Sequence, residues 1–253
     1  MNRVLLLASA ALTLLVCCSC NDGNSEKAPK PDGFHEVSFD SSDHKKVYAD
    51  FFPSAQQNSE KVILMFHQAG SNAGEYENME TVASQLGYNC IAVDLRAGGD
   101  MWGRENRTAS KSGTGEYLDA YKDMQGALEY AHSQNYTTIV VWGSSYSASL
   151  ALKMAAEETG IKGAIAFSPG EYFDDKTLVK GWASKVSCPV LIACTPDELK
   201  DGRQDLYDAI TSDPKVLAQF SGGVHGTSTV LPEKSPAAAQ YVDKVKDFLT
   251  NLK

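Results

Sequence analysis

Ser145 lies in the run Gly143-Ser144-Ser145-Tyr146-Ser147, with small residues two places before and two places after it. That spacing is the mark of a nucleophile elbow. An apolar β-type run, residues 138–142, leads into it and a helix-like stretch leads out, so the serine falls at a sharp strand-to-helix turn. A serine hydroxyl attacks carbonyls poorly unless a base takes its proton and N–H donors stabilise the oxyanion. The turn serves both needs, because it aims the oxygen away from the backbone beside a helix N-terminus. Ser147 replaces the usual glycine, which makes the motif Gly-x-Ser-x-Ser.

The base and acid of such a site come later in the chain, in the order serine, acid, histidine. His225 is the only histidine after Ser145, and it sits in the glycine-rich segment Ser221-Gly222-Gly223-Val224-His225-Gly226 directly after the last β-type run. His35, His44 and His132 precede the serine and read as surface residues. The acid is expected in the loop after the run 189–194, where Asp197, Glu198 and Asp201 all lie, and Glu171 is a further carboxylate to weigh. Residue type does not choose among them, and loop carboxylates are usually just solvated. The N–H of Tyr146, which follows the nucleophile, is one expected oxyanion donor, and the second comes from the loop after residues 61–67.

These groups need a scaffold that alternates strands and helices. Residues 36–39 and 47–52 form short runs that predict an antiparallel pair at a sheet edge. Beyond them the apolar runs 61–67, 89–94, 138–142, 163–167, 189–194 and 216–220 alternate with helical patterns, which predicts a mostly parallel sheet. Tyr76, Met79, Val82, Ala83 and Leu86 fall at helical spacing before Gly87, as do Tyr117, Tyr121, Met124, Leu128 and Ala131. Residues 146–158 predict the helix behind the serine, and Tyr241, Val245, Phe248 and Leu252 mark a C-terminal helix. Residues 97–115 show no period and read as a long surface loop over the catalytic face.

Four segments carry a family resemblance: Phe66-His67-Gln68-Ala69-Gly70-Ser71-Asn72, Trp142 to Ser147, Phe167-Ser168-Pro169-Gly170-Glu171-Tyr172, and Gly223-Val224-His225-Gly226. On them the chain resembles α/β-hydrolases of the dienelactone hydrolase-like group, over about residues 34–252. The resemblance implies an α/β-hydrolase fold with a mostly parallel central sheet and helices on both faces, and a serine-dependent hydrolase with no cofactor. In related hydrolases the acid commonly falls about nine residues after the proline that starts its strand, and counting from Pro189 reaches Glu198. His67-Gln68-Ala69 resembles the His-Gly-x turn of esterases with Gln68 in the glycine position, which implies Ala69 as the second oxyanion donor and Gln68 as the alternative. His67 then holds the loop instead of acting as a base. Asp94-Leu95-Arg96 matches a recurrent hydrolase segment whose charges tie loops together, so Asp94 is not read as catalytic. Proteins named for dienelactone hydrolase carry a cysteine nucleophile; a serine here argues against the namesake substrate.

The 253 residues, 43% of them hydrophobic, fit one globular domain, and a net charge of −9 excludes the cationic surface that nucleic acid needs. There is no Gly-x-x-x-x-Gly-Lys loop, no Gly-x-Gly-x-x-Gly after the first strand, and no His or Cys pair at zinc spacing. Neither nucleotide nor metal is required. Arg3 precedes an apolar core of about 13 residues, from Val4 to Val16, which is short of the roughly 20 needed to span a bilayer and reads as a secretory signal over residues 1–19. Ser19-Cys20 resembles the cleavage site of bacterial lipoproteins, with Cys20 lipidated and Cys18 the fallback. Residues 21–33 are a polar tether, and residues 34–253 form the hydrolase domain. The expectation is an exported protein whose only membrane contact is its N-terminal lipid. Cys90, Cys188 and Cys194 read as buried free thiols.

The function expected is cleavage of a small-molecule carboxylic ester through an acyl-enzyme, by Ser145, His225 and Glu198. The alternatives are a non-catalytic ligand- or partner-binding protein on the same fold, or a thioesterase or peptidase using the same three residues.

Overall fold

Strands that read as unbroken apolar runs must be covered on both faces. The computed structural model, which describes residues 33–252, bears this out: all six residues of Asn89–Asp94 are buried. One eight-stranded sheet is formed by β1 (His35–Asp40), β2 (Lys46–Phe52), β3 (Lys61–Phe66), β4 (Asn89–Asp94), β5 (Thr138–Ser144), β6 (Ile161–Phe167), β7 (Val190–Cys194) and β8 (Lys215–Gln219). Their order is β1-β2-β4-β3-β5-β6-β7-β8. β1 pairs antiparallel with β2 and β2 with β4, as the edge runs predict, and every other pairing is parallel.

The helices are α1 (Met79–Gln85), α2 (Arg107–Ser112), α3 (Ala120–Ser133), α4 (Tyr146–Glu157), α5 (Leu178–Ala183), the single turn α6 (Pro196–Glu198), α7 (Gln204–Ala209) and α8 (Ala238–Asn251). They cover both faces of the sheet, and the two-residue strand period divides the core between them. Val62, Leu64 and Phe66 of β3 pack with α3 and α4 in one cluster, while Ile63 and Met65 face α1 and α8 in the other. α8 buries Tyr241, Val245, Phe248 and Leu249. At about 1.5–3 kcal/mol for each large apolar side chain, that face outweighs the fractions of a kcal/mol per residue that set helix propensity.

Several boundaries differ from the sequence reading. β5 continues through Gly143 and Ser144, so the elbow motif begins inside the strand. The pattern at residues 76–86 divides into a 3-10 turn, Ala73–Tyr76, and the short α1, which ends before Gly87 at φ +85°. α3 starts at Ala120 and leaves Tyr117 outside. Residues 97–115 are not simply a surface loop: they contain α2, capped by the Asn106 side chain, with Arg107 and Thr108 buried. α5 and α7 had no visible period. The three thiols expected in the domain are free and buried. The leader, Cys20, Cys18 and the tether up to residue 32 lie outside the described residues.

Candidate active site

The elbow is a strained turn with a reason for each small residue. Ser145 adopts φ 60° and ψ −123° between β5 and α4, a region that side chains rarely enter. Its N–H donates to the Phe167 carbonyl at 2.8 Å, which fixes the turn against β6. A Cβ at Gly143 would stand 2.3 Å from the Ser147 carbonyl oxygen, so only glycine fits. Ser147 is fully buried; its hydroxyl accepts the Ser144 N–H at 2.9 Å and lies 2.6 Å from the Phe66 carbonyl. A serine therefore replaces the usual glycine by joining the elbow to the end of β3.

The loops after β7 and β8 bring the other two groups to this hydroxyl. His225 Nε2 lies 2.8 Å from Ser145 Oγ, and His225 Nδ1 lies 2.5 Å from Glu198 Oε1. Glu198 is placed by a capping box at α6, in which Thr195 accepts the Glu198 N–H and Glu198 Oε2 accepts the Thr195 N–H at 2.9 Å. That leaves Oε1 free to face the imidazole. Burial acts to raise the Glu198 carboxyl, but the hydrogen bonds from His225, Thr195 and Ser168 outweigh it and hold the group below its ordinary range. The other carboxylates are elsewhere. Asp197 is almost fully exposed beside Lys200, Asp201 pairs with Arg203, and Glu171 accepts the N–H groups of Val179 and Lys180.

The oxyanion side rests on the segment after β3. Gln68 N–H is already donated to Glu75 Oε2 at 2.9 Å, which removes it as an alternative oxyanion donor. Among the hydrogen bonds of the described residues, none has the N–H of Ala69 or of Tyr146 as its donor. His67 is fully buried and does hold this loop. Leu95 N–H donates to its Nε2 at 2.8 Å, so the proton sits on Nδ1, which faces the Gln68 carbonyl at 2.7 Å. Burial pushes the His67 imidazole below its ordinary pKa, in keeping with a neutral ring whose nitrogens are both occupied. Asp94 accepts from Ala73 N–H and from Arg107, tying loops together as the sequence suggests.

Two neighbours of the serine escaped the sequence reading. Tyr172 stands beside Ser145; its hydroxyl donates to the Ser168 carbonyl at 2.8 Å and accepts from Arg203 Nη2 at 3.1 Å. Ser168 Oγ meets both Glu198 and the histidine loop. The segment Ser168-Pro169-Gly170-Glu171-Tyr172 carries the family resemblance and the candidate acid Glu171, and its position at the end of β6 is the signal that points Ser168 and Tyr172 to this site.

A sheet of this order, with a serine at the β5–α4 turn and a histidine and carboxylate on the loops after β8 and β7, defines an α/β-hydrolase. The chain belongs to the dienelactone hydrolase family, whose model matches residues 49–252. No curated protein matches it. The Pyrococcus furiosus esterase Pf2001 superposes with a TM-score of 0.66 at 18% identity, over 87% of this chain and 92% of that one. A dienelactone hydrolase from Anabaena variabilis ATCC 29413 gives 0.66 at 15% identity, over 87% and 98%. A monoacylglycerol lipase from Paleococcus ferrophilus gives 0.62 at 13% identity, over 81% and 98%. At such identities the likeness is one of fold. The family makes the protein a hydrolase of the α/β type.

Proposed function

We propose that this hydrolase cleaves carboxylic esters of small molecules through an acyl-enzyme on Ser145. The observation that carries the reading is the 2.8 Å approach of His225 Nε2 to Ser145 Oγ, with Glu198 behind the ring. His225 takes the serine proton as Oγ attacks the ester carbonyl, then returns it to the departing alkoxide. Glu198 holds the Nδ1–H and stabilises the imidazolium that forms. The N–H groups of Ala69 and Tyr146 receive the oxyanion, and water, deprotonated by the same histidine, releases the acid. No step calls on a metal or cofactor. Two of the fold neighbours are named as an esterase and a monoacylglycerol lipase, which supports the reading.

A fluorophosphonate probe and a panel of short p-nitrophenyl esters test it. The parent protein is expected to be labelled at Ser145 and to hydrolyse esters, with Ser145→Ala unlabelled and slower by about 10⁴-fold or more. Equal hydrolysis with and without the Ser145 hydroxyl would falsify the reading.

A further inference from the structure

We propose that Ser168 is a positioning residue that locks the carboxylate of Glu198 and the loop carrying His225 to each other; this rests on the ester hydrolase reading above. Its hydroxyl donates to Glu198 Oε2 at 2.9 Å and accepts the N–H of Gly226, the residue after His225, at 2.9 Å. One oxygen thus touches both halves of the acid–base pair. Neither half is secured without it in the same way. Glu198 Oε2 has a second donor in the Thr195 N–H and Oε1 faces His225, and the Ser168 hydroxyl adds a contact that also reaches the histidine loop. The His225 side chain is itself nearly half exposed, so its place depends on how the loop is tied down. Among its ties are Gly226 N–H to Ser168, Thr227 N–H to the Ser144 hydroxyl at 2.9 Å, and Val224 N–H to Thr229 at 3.1 Å, beside the bonds of Gly223 N–H to the Phe220 carbonyl and Thr229 N–H to the Gly226 carbonyl.

The backbone of Ser168 argues that its hydroxyl is the reason for a serine there. The residue is buried at the end of β6 with φ +53°, a left-handed conformation that glycine adopts without strain and serine does not. Its backbone is fully engaged: the N–H donates to the Ala193 carbonyl at 2.6 Å and its carbonyl accepts the Tyr172 hydroxyl. Glycine would keep those two backbone bonds and relieve the strain. What glycine lacks is the oxygen between the acid and the base loop.

Ser168→Gly suits the backbone and removes the whole hydroxymethyl group, and Ser168→Ala, the second variant, removes the hydroxyl alone. Thermal melting establishes folding. Fluorophosphonate labelling is then resolved into initial binding and the inactivation step, and the far-downfield proton resonance of the His225–Glu198 hydrogen bond is followed by NMR. The inactivation rate is expected to fall by about 10–100-fold with initial binding within about threefold, because Ser168 acts through the pair and not on the probe. The resonance is expected to move upfield or broaden away. Inactivation within about twofold of the parent in a folded variant overturns the inference, and so does a slower rate with the resonance unmoved. A parent protein that takes no label at Ser145 points instead to failure of the ester hydrolase reading itself.

Discussion

Glu75 is a carboxyl buried beneath the oxyanion loop, where it accepts the Gln68 N–H and stands beside the hydroxyls of Ser144 and Ser71. Burial raises its pKa, since the ionised form loses water that its hydrogen bonds only partly replace. A raised carboxyl binds its proton more tightly in the folded state, so stability falls as pH rises from the ordinary value of about 4.3 through the folded one. Glu75→Gln keeps an acceptor for Gln68 and removes the charge. The variant is expected to melt about 3 °C or more above the parent at pH 8, with the gain closing by about pH 4. A difference that stays constant across that range would show that Glu75 does not titrate with folding. At this same scale Ser145 and His225 were legible in the sequence because the elbow is local and no other histidine follows it. Glu198 was not separable from Asp197 by residue type, yet Thr195-Pro196-Asp197-Glu198 spells a capping box that turns the fourth residue back towards the first. Ser168 and Tyr172 stayed hidden, because their partners lie tens of residues away and no periodicity marks them.

α2 shows what pattern reading misses in an element. Its six residues, Arg-Thr-Ala-Ser-Lys-Ser, carry no apolar stripe, and such a short helix has almost no stability of its own. It exists because Asn106 caps it and Arg107 anchors it. The Arg107 guanidinium lies 2.6 Å from Asp94 and 2.9 Å from Asp50, both buried, and reaches the exposed Glu36 at 3.2 Å. Arg104 adds a contact to Asp50 at 2.6 Å. Removing one member of such a buried cluster leaves buried charge without its partner, a loss of about 3–5 kcal/mol, whereas an exposed pair is worth under about 1 kcal/mol. Arg107→Ala is therefore expected to lower the unfolding free energy in urea by about 3 kcal/mol or more. A loss under about 1 kcal/mol would mean that Arg104 and water compensate. The central strands, by contrast, were legible as strands because burial on both faces makes them continuous apolar runs. Their ends were less so: β5 runs on into the elbow because Gly143 and Ser144 keep pairing with β6, a fact that lives in the neighbouring strand.

For the molecule as a whole, the open matter is how a hydrolase with net charge −9 is held where it works. Among the described residues no helix is long and apolar enough to cross a membrane, and a negative body gains nothing from anionic headgroups. On the apolar core of residues 4–16 and the Ser19-Cys20 junction, we propose that residues 1–19 direct export and that Cys20 carries the lipid. The intervening polar segment, residues 21–33, would then act as the tether. A single acyl chain gives only marginal, reversible binding, so a stable anchor at Cys20 needs a lipid with two chains. In a bacterial host the parent chain is expected to incorporate an alkyne-tagged fatty acid and to fractionate with membranes, while Cys20→Ala takes up none and Cys18→Ala is labelled as the parent is. Fluorophosphonate labelling should be the same in all three, because Ser145, His225 and Glu198 all lie within the domain described by residues 33–252. Fatty acid retained by Cys20→Ala and lost from Cys18→Ala would move the anchor two residues upstream. A parent chain without fatty acid would end the lipoprotein proposal and leave the site chemistry untouched.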